Sequence, residues 1–125
     1  MDIHSKNTTK YTSFSHVSRE TINNLVLYEK YLLDSNKKFN LIGKSTEKHI
    51  WNRHFQDSVQ LIDLIDKNCK ICADLGSGAG FPGMVLSIVA KERKMSTEFH
   101  LYEKSLKKSK FLNQICKKLN LKTKI

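Results

Sequence analysis

The ten residues Asp74-Leu75-Gly76-Ser77-Gly78-Ala79-Gly80-Phe81-Pro82-Gly83 place one carboxylate ahead of four closely spaced glycines and a proline. A turn built this way reaches positive φ at low cost and lets a ligand rest on backbone, because no Cβ intervenes. Asp74 narrows the choice of ligand. Gly78-x-Gly80-x-x-Gly83 matches the dinucleotide fingerprint as a pattern. A carboxylate two residues before the first glycine would, however, repel a pyrophosphate. It suits a ligand that carries an ammonium group and no phosphate, such as S-adenosylmethionine. A nucleotide-binding loop and a glycine turn without a ligand remain the alternatives. A second acid, Glu103, follows Gly80 by 23 residues. In doubly wound sheets an acid about 20 residues past the glycine turn receives ribose hydroxyls, through charge-assisted hydrogen bonds. The alternative for Glu103 is an ordinary exposed acid.

These residues need a strand, a turn and a helix to position them. Ile71, Cys72 and Ala73 precede the loop and Met84 to Ala90 follow it, the pattern of a buried strand and an apolar helix. Pro82 is expected at the first helical position, where the free N–H groups and positive dipole end of the helix would face the ligand. Phe81, just after the glycines, is expected to pack against that ligand. Glu98 to Glu103 reads as the next strand, and Lys122 to Ile125 as the entry to a third. Between them Phe111, Leu112, Ile115, Cys116 and Leu119 form one helical face, with Lys107, Lys110, Lys117 and Lys118 opposite. Lys108 projects on the apolar side, where it either snorkels to water or, the favoured expectation, pairs with Glu103.

Upstream the chain reads as helical. Ser18 with Thr21 opens a segment whose apolar stripe is Ile22, Leu25, Val26, Tyr28, Leu32 and Leu33. Phe39 to Gly43 is a turn; Thr46 or Ser45 is expected to cap a helix toward His54, and Asp57-Ser58 another through Ile65. Arg53, His54 and Asp57 are polar groups set among apolar ones. They are either a hydrogen-bonded hinge between two helices or part of a site. Three regions result: a loose arm over 1–17, a helical region over 18–66 and the cofactor-loop region over 67–125.

Composition bounds the function. With 39% hydrophobic and 27% charged residues the chain is of ordinary globular type. Its longest apolar stretch, Met84 to Ala90, is interrupted by Ser87 and too short to span a bilayer. The N-terminus lacks the pattern of a secretory signal, so the cytoplasm is the expected compartment. Cys69-x-x-Cys72 has no second pair and no spaced histidine partner, so buried free thiols are expected and no metal site. The charge is lopsided: residues 91–125 hold 11 Lys/Arg against three acids, and residues 1–90 hold 11 against nine. Basic surface beside the loop suits a phosphate backbone, although 19 of the 22 basic residues are Lys, as a lysine-rich composition alone would give.

The order Asp74-x-Gly76-x-Gly78-x-Gly80 resembles the first motif of Rossmann-like methyltransferases. Phe39-Asn40-Leu41-Ile42-Gly43, then Trp51-Asn52-Arg53-His54-Phe55-Gln56-Asp57-Ser58, then the glycine loop, and then Glu103 with Lys107-Lys108 and Phe111-Leu112, occur in the order of one family. Over residues 18–125 the chain resembles the bacterial small-subunit ribosomal RNA guanine-N7 methyltransferases, also called glucose-inhibited division protein B. The resemblance implies an α/β chain of Rossmann-like class I methyltransferase fold with N-terminal helices. Only the first part of its doubly wound parallel sheet would be present. It implies S-adenosylmethionine as cofactor and 16S ribosomal RNA, or the small ribosomal subunit, as partner. Asp74, Gly76, Ser77, Gly78, Gly80, Phe81 and Glu103 would bind the cofactor, with Arg53, His54, Lys107 and Lys108 as RNA contacts and no catalytic base. Glu103 is commonly Asp in that family. Its members run to about 200 residues, so the resemblance also implies C-terminal truncation. An inactive fragment, at most a basic RNA-binding piece, is the alternative, and a marginally stable fold with an open sheet edge is expected.

Overall fold

The computed structural model describes residues 17–125; of the arm expected over 1–17, all but Val17 lies outside the described residues. Helix α1 spans Arg19–Asn36. Ser18 caps it as its sequence suggested, its Oγ accepting from the Thr21 N–H at 3.1 Å. Thr21, Leu25, Tyr28, Leu32 and Asn36 are its buried face, with Ile22, Val26 and Leu33 packed at the margin.

The segment after α1 departs from the expected pair of capped helices. It is a 3₁₀ turn over Lys44–His49, a π-turn over Ile50–Phe55, a short helix α2 over Gln56–Gln60 and a 3₁₀ turn over Leu61–Leu64. Neither Ser45 nor Thr46 caps a helix; the Thr46 hydroxyl instead donates to the Gly43 carbonyl at 2.6 Å. Asp57 and Ser58 lie inside α2 rather than at a cap. The π-turn widens the helix where Trp51 and Phe55 must both turn inward. Their rings meet edge to face at 4.9 Å, and Phe55 meets Tyr28 of α1 at 5.5 Å.

Strand β1 (Ile71–Leu75), helix α3 (Gly83–Glu92) and strand β2 (Glu98–Tyr102) form a parallel βαβ unit, with Cys72 opposite Phe99 and Asp74 opposite Leu101. Helix α4 (Leu106–Lys118) follows, and Lys124 then joins the free side of β2 through a parallel bridge to His100. That bridge is the start of the third strand expected there: the Leu101 N–H donates to the Lys124 carbonyl at 2.8 Å and the Lys124 N–H to that of Phe99 at 3.0 Å. Every residue of α3 from Gly83 to Ala90 is buried, because β2 covers one side and α1 and α2 the other. Among the described residues the sheet is covered on one face only, by α3. Ile71, Leu75 and Tyr102 on the opposite face are 58%, 79% and 54% exposed. Expecting β1 to be a buried strand was therefore wrong for the described residues. Cys72 is half-buried, while Cys116 is buried as a free thiol and its pKa is pushed up to about 11 by that burial.

Candidate cofactor site

The glycine loop continues the strand pairing for two residues beyond β1. The amides of Gly76 and Ser77 both donate to the Tyr102 carbonyl, at 2.8 and 3.1 Å, so the loop leaves the sheet directly above the end of β2. Gly76, Gly78 and Gly80 all take positive φ, at 76°, 56° and 106°. Gly80 is constrained twice over. Besides its φ, a Cβ there would strike the Tyr28 hydroxyl and come within 2.8 Å of Met84 Cβ. Around Gly76 and Gly78 the space is open, with no atom within 4 Å of an added Cβ. These two form the bare backbone on which a ligand can lie.

Glu103 stands one residue past β2 and binds the loop to the start of α4. Its Oε1 accepts from the Gly78 N–H and its Oε2 from the Ser105 N–H, both at 2.8 Å. These two bonds hold its pKa below the usual glutamate range, with Lys108 and Lys104 adding smaller contributions of the same sign. The expected Lys108–Glu103 ion pair does not form: no described salt bridge joins them, so Lys108 acts on the carboxylate only at longer range. Gly76, Tyr102, Glu103 and Lys104 line a cavity of about 480 Å³.

Asp74 has a structural role that its sequence did not suggest. Its Oδ2 accepts from the Gly83 N–H at 3.0 Å, so the carboxylate sits on the positive end of α3. The helix N-terminus expected to face a ligand is to that extent already occupied by the protein. Pro82 precedes α3 by one residue, at the N-cap rather than at the first helical position, after a cis peptide bond from Phe81. Gly83 permits the contact with Asp74: a Cβ there would fall 2.7 Å from Oδ2 and 2.9 Å from Leu101 Cδ1. Ser77 is buried, its hydroxyl donating to the Asp74 carbonyl at 3.1 Å.

Phe81 is placed apart from the Glu103 cavity. Its ring stacks on His54 at 4.4 Å and 10° and on Tyr28 at 5.8 Å and 18°. With Arg53, His54, Asp57 and Pro82 it lines a separate cavity of about 250 Å³. Burial lowers the His54 pKa below 6.5, so the imidazole in that stack is neutral at pH 7. Lys107 and Lys108 belong to neither cavity; they face a groove beneath α1, and Lys107 Nζ lies 5.4 Å from the centre of the Phe39 ring. The loop glycines, Ser77 and Glu103 are thus brought together, while Arg53 and His54 join Phe81, and the two lysines stand apart.

Two residues of consequence escaped the reading of the sequence. Tyr28, taken only as part of the apolar stripe, donates its hydroxyl to the Ala79 carbonyl and so ties α1 to the glycine loop. Asn36 builds the Phe39–Gly43 turn. Its Oδ1 accepts from the amides of Leu41 and Ile42, at 2.8 and 3.0 Å, while its Nδ2 donates to Glu47 at 2.7 Å. An Asn at the end of an amphipathic helix, ahead of a turn, is the signal that pointed to the second. Among the described residues no group of three or more His, Cys, Asp or Glu side chains could hold a metal ion, and no helix is long and apolar enough to cross a membrane.

A family model described as rRNA small subunit methyltransferase G matches residues 21–125. The ribosomal RNA small subunit methyltransferase G of Pelagibacter ubique (strain HTCC1062) is 42% identical over 112 residues, covering 88% of this chain and 53% of the relative. The protein of the same name from Bradyrhizobium sp. (strain BTAi1 / ATCC BAA-1182) is 48% identical over 98 residues, covering 78% and 43%. That of Jannaschia sp. (strain CCS1) is 40% identical over 116 residues, covering 93% and 55%. The chain spans about half the length of the curated relatives it matches.

Proposed function

This chain belongs to the rRNA small subunit methyltransferase G family, and we propose that it serves S-adenosylmethionine-dependent methylation of a guanine N7 in 16S ribosomal RNA. In this reading residues 67–125 are the first part of a Rossmann-like cofactor domain and residues 18–66 its helical support. The observation that carries it is the Glu103 carboxylate, fastened to Gly78 at the mouth of a cavity floored by bare glycine backbone. Each carboxylate oxygen has lone pairs beyond the one used by its backbone partner, so Glu103 can still accept two ribose hydroxyls. Asp74 keeps the oxygen that no described hydrogen bond engages for the amino group of the methionine portion. Gly76, Ser77, Gly78 and Gly80 supply the wall, and Phe81 fixes the loop's far end against His54.

S-adenosylmethionine supplies, when bound, a methyl group already activated by its sulfonium. Guanine N7 carries a lone pair and no proton, so this chain has no base to provide. Its work is to hold the attacking atom in line, at about 3–3.5 Å. The neutral His54 in its stack fits a wall that orients rather than a group that transfers protons. Calorimetric titration with S-adenosylmethionine tests the reading. Micromolar binding is expected, weakened at least about tenfold in Glu103→Ala. Absence of binding by the unaltered chain at about 1 mM would leave at most a basic RNA-binding piece.

A further inference from the structure

The largest cavity among those described, about 780 Å³, belongs to neither the glycine loop nor the His54 stack. It is a groove between the C-terminal end of α1, with the turn that follows, and the first turn of α4. Five lysines face it: Lys37, Lys38 and Lys44 from one side, Lys107 and Lys108 from the other. None of the five is held in an ion pair among the described residues. The one acid lining it, Glu47, accepts the hydrogen bond from Asn36 and so helps build the wall. Phe39, 38% exposed and with the Lys107 ammonium 5.4 Å from its ring centre, adds an aromatic surface.

Position gives the groove its meaning. Ser105 lines it, and the Ser105 amide is the one that binds Glu103 Oε2. The groove therefore begins one residue beyond Lys104, which lines the Gly76–Glu103 cavity. Unpaired cations along a channel with an aromatic on its wall are what a flexible polyanion carrying bases requires. We propose that this groove holds a single-stranded RNA segment flanking the reacting base, its phosphates on the five lysines and one base against Phe39. The inference rests on the proposed function for the identity of the strand, and it adds the route by which the strand reaches the Glu103 cavity. Lys37, Lys38 and Lys44 become RNA contacts through the α1 turn, which no charge count along the chain would pair with α4.

Fluorescence anisotropy with a labelled single-stranded RNA of about 12 nucleotides tests the groove on the full chain. Lys38→Glu/Lys108→Glu is compared with Lys67→Glu/Lys70→Glu, an equal charge change at the other end of β1. The groove variant is expected to lose at least about tenfold in affinity and to flatten the salt dependence by about 1.4 log units per decade of salt. The control should change little. Equal loss in both variants would reduce the effect to net charge and overturn the proposal, as would no loss in either or no RNA binding by the unaltered chain. A duplex bound more tightly than the single strand would also overturn it. Helical circular dichroism matching the unaltered chain shows that each variant is folded. Cofactor titration of the unaltered chain separates the two claims: no cofactor binding alongside groove-dependent RNA binding sinks the proposed function, and cofactor binding without groove-dependent RNA binding sinks the groove.

Discussion

At the scale of single residues the site is held by a few backbone amides and the carboxylates that accept from them. Asp74 bonds the Gly83 amide across the loop, so its removal should damage the fold as well as any cofactor affinity. Asp74→Asn keeps an acceptor at the helix end and should hold stability within about 1 kcal/mol, whereas Asp74→Ala should cost about 1–2 kcal/mol by denaturant melts. Equal stability of the two would deny the capping role. Gly80→Ala drives a methyl into Tyr28 and Met84 at a positive φ. It should cost about 2 kcal/mol or more, a fall of about 8 °C or more in Tm. The positive-φ glycine turn and the acid placed beside it were legible from spacing along one chain segment. Tyr28 was not: its partner carbonyl at Ala79 lies 51 residues away, and a tyrosine in an apolar stripe looks like any core residue.

At the scale of elements, α1, the βαβ unit and α4 were legible from periodicity, caps and the glycine turn. The stretch over 44–64 was not, because tertiary packing of Trp51, Phe55 and Phe81 overrides local propensity there and divides it into 3₁₀, π and α turns. His54 joins this stretch to the glycine loop, and its lowered pKa gives the joint a pH dependence. The folded protein binds that proton less readily than the unfolded chain, so stability is full above the unfolded value of 6.5 and declines as pH falls through the folded value. His54→Phe keeps a stacking ring and removes the proton. Melting at pH 7 and about pH 5 should show a smaller acid loss for the variant than for the unaltered chain, and identical losses would count against the stack as the sensor. Glu103 has the same sign lower down: its hydrogen bonds hold above its ordinary value of 4.5 and are lost as pH falls through the depressed one.

At the scale of the whole molecule, the described residues form a sheet covered on one face. Helix α3 is buried from Gly83 to Ala90, yet Ile71, Leu75 and Tyr102 are exposed on the opposite face, and among the described residues β1 has an unpaired edge. The chain spans about half the length of the relatives it matches, and an α/β sheet in general is covered on both faces. This open face should bind a hydrophobic dye such as anilinonaphthalene sulfonate in the native state, with reduced enhancement in Leu75→Lys; no native-state enhancement would mean that the face is covered. The open edge was legible in the sequence, but the open face was not. Composition says how much apolar surface a chain has, but which strand face lacks a cover is decided by where α3 returns.

Whether the bare glycine backbone and Glu103 form a cofactor site is decided by backbone amide NMR during titration with S-adenosylmethionine. Saturable shifts are expected to concentrate at Gly76, Ser77, Gly78 and Ser105, whose amides bond the Tyr102 carbonyl or the Glu103 carboxylate at the cavity. Shifts confined to other surfaces, or none up to about 1 mM cofactor, would contradict such a site.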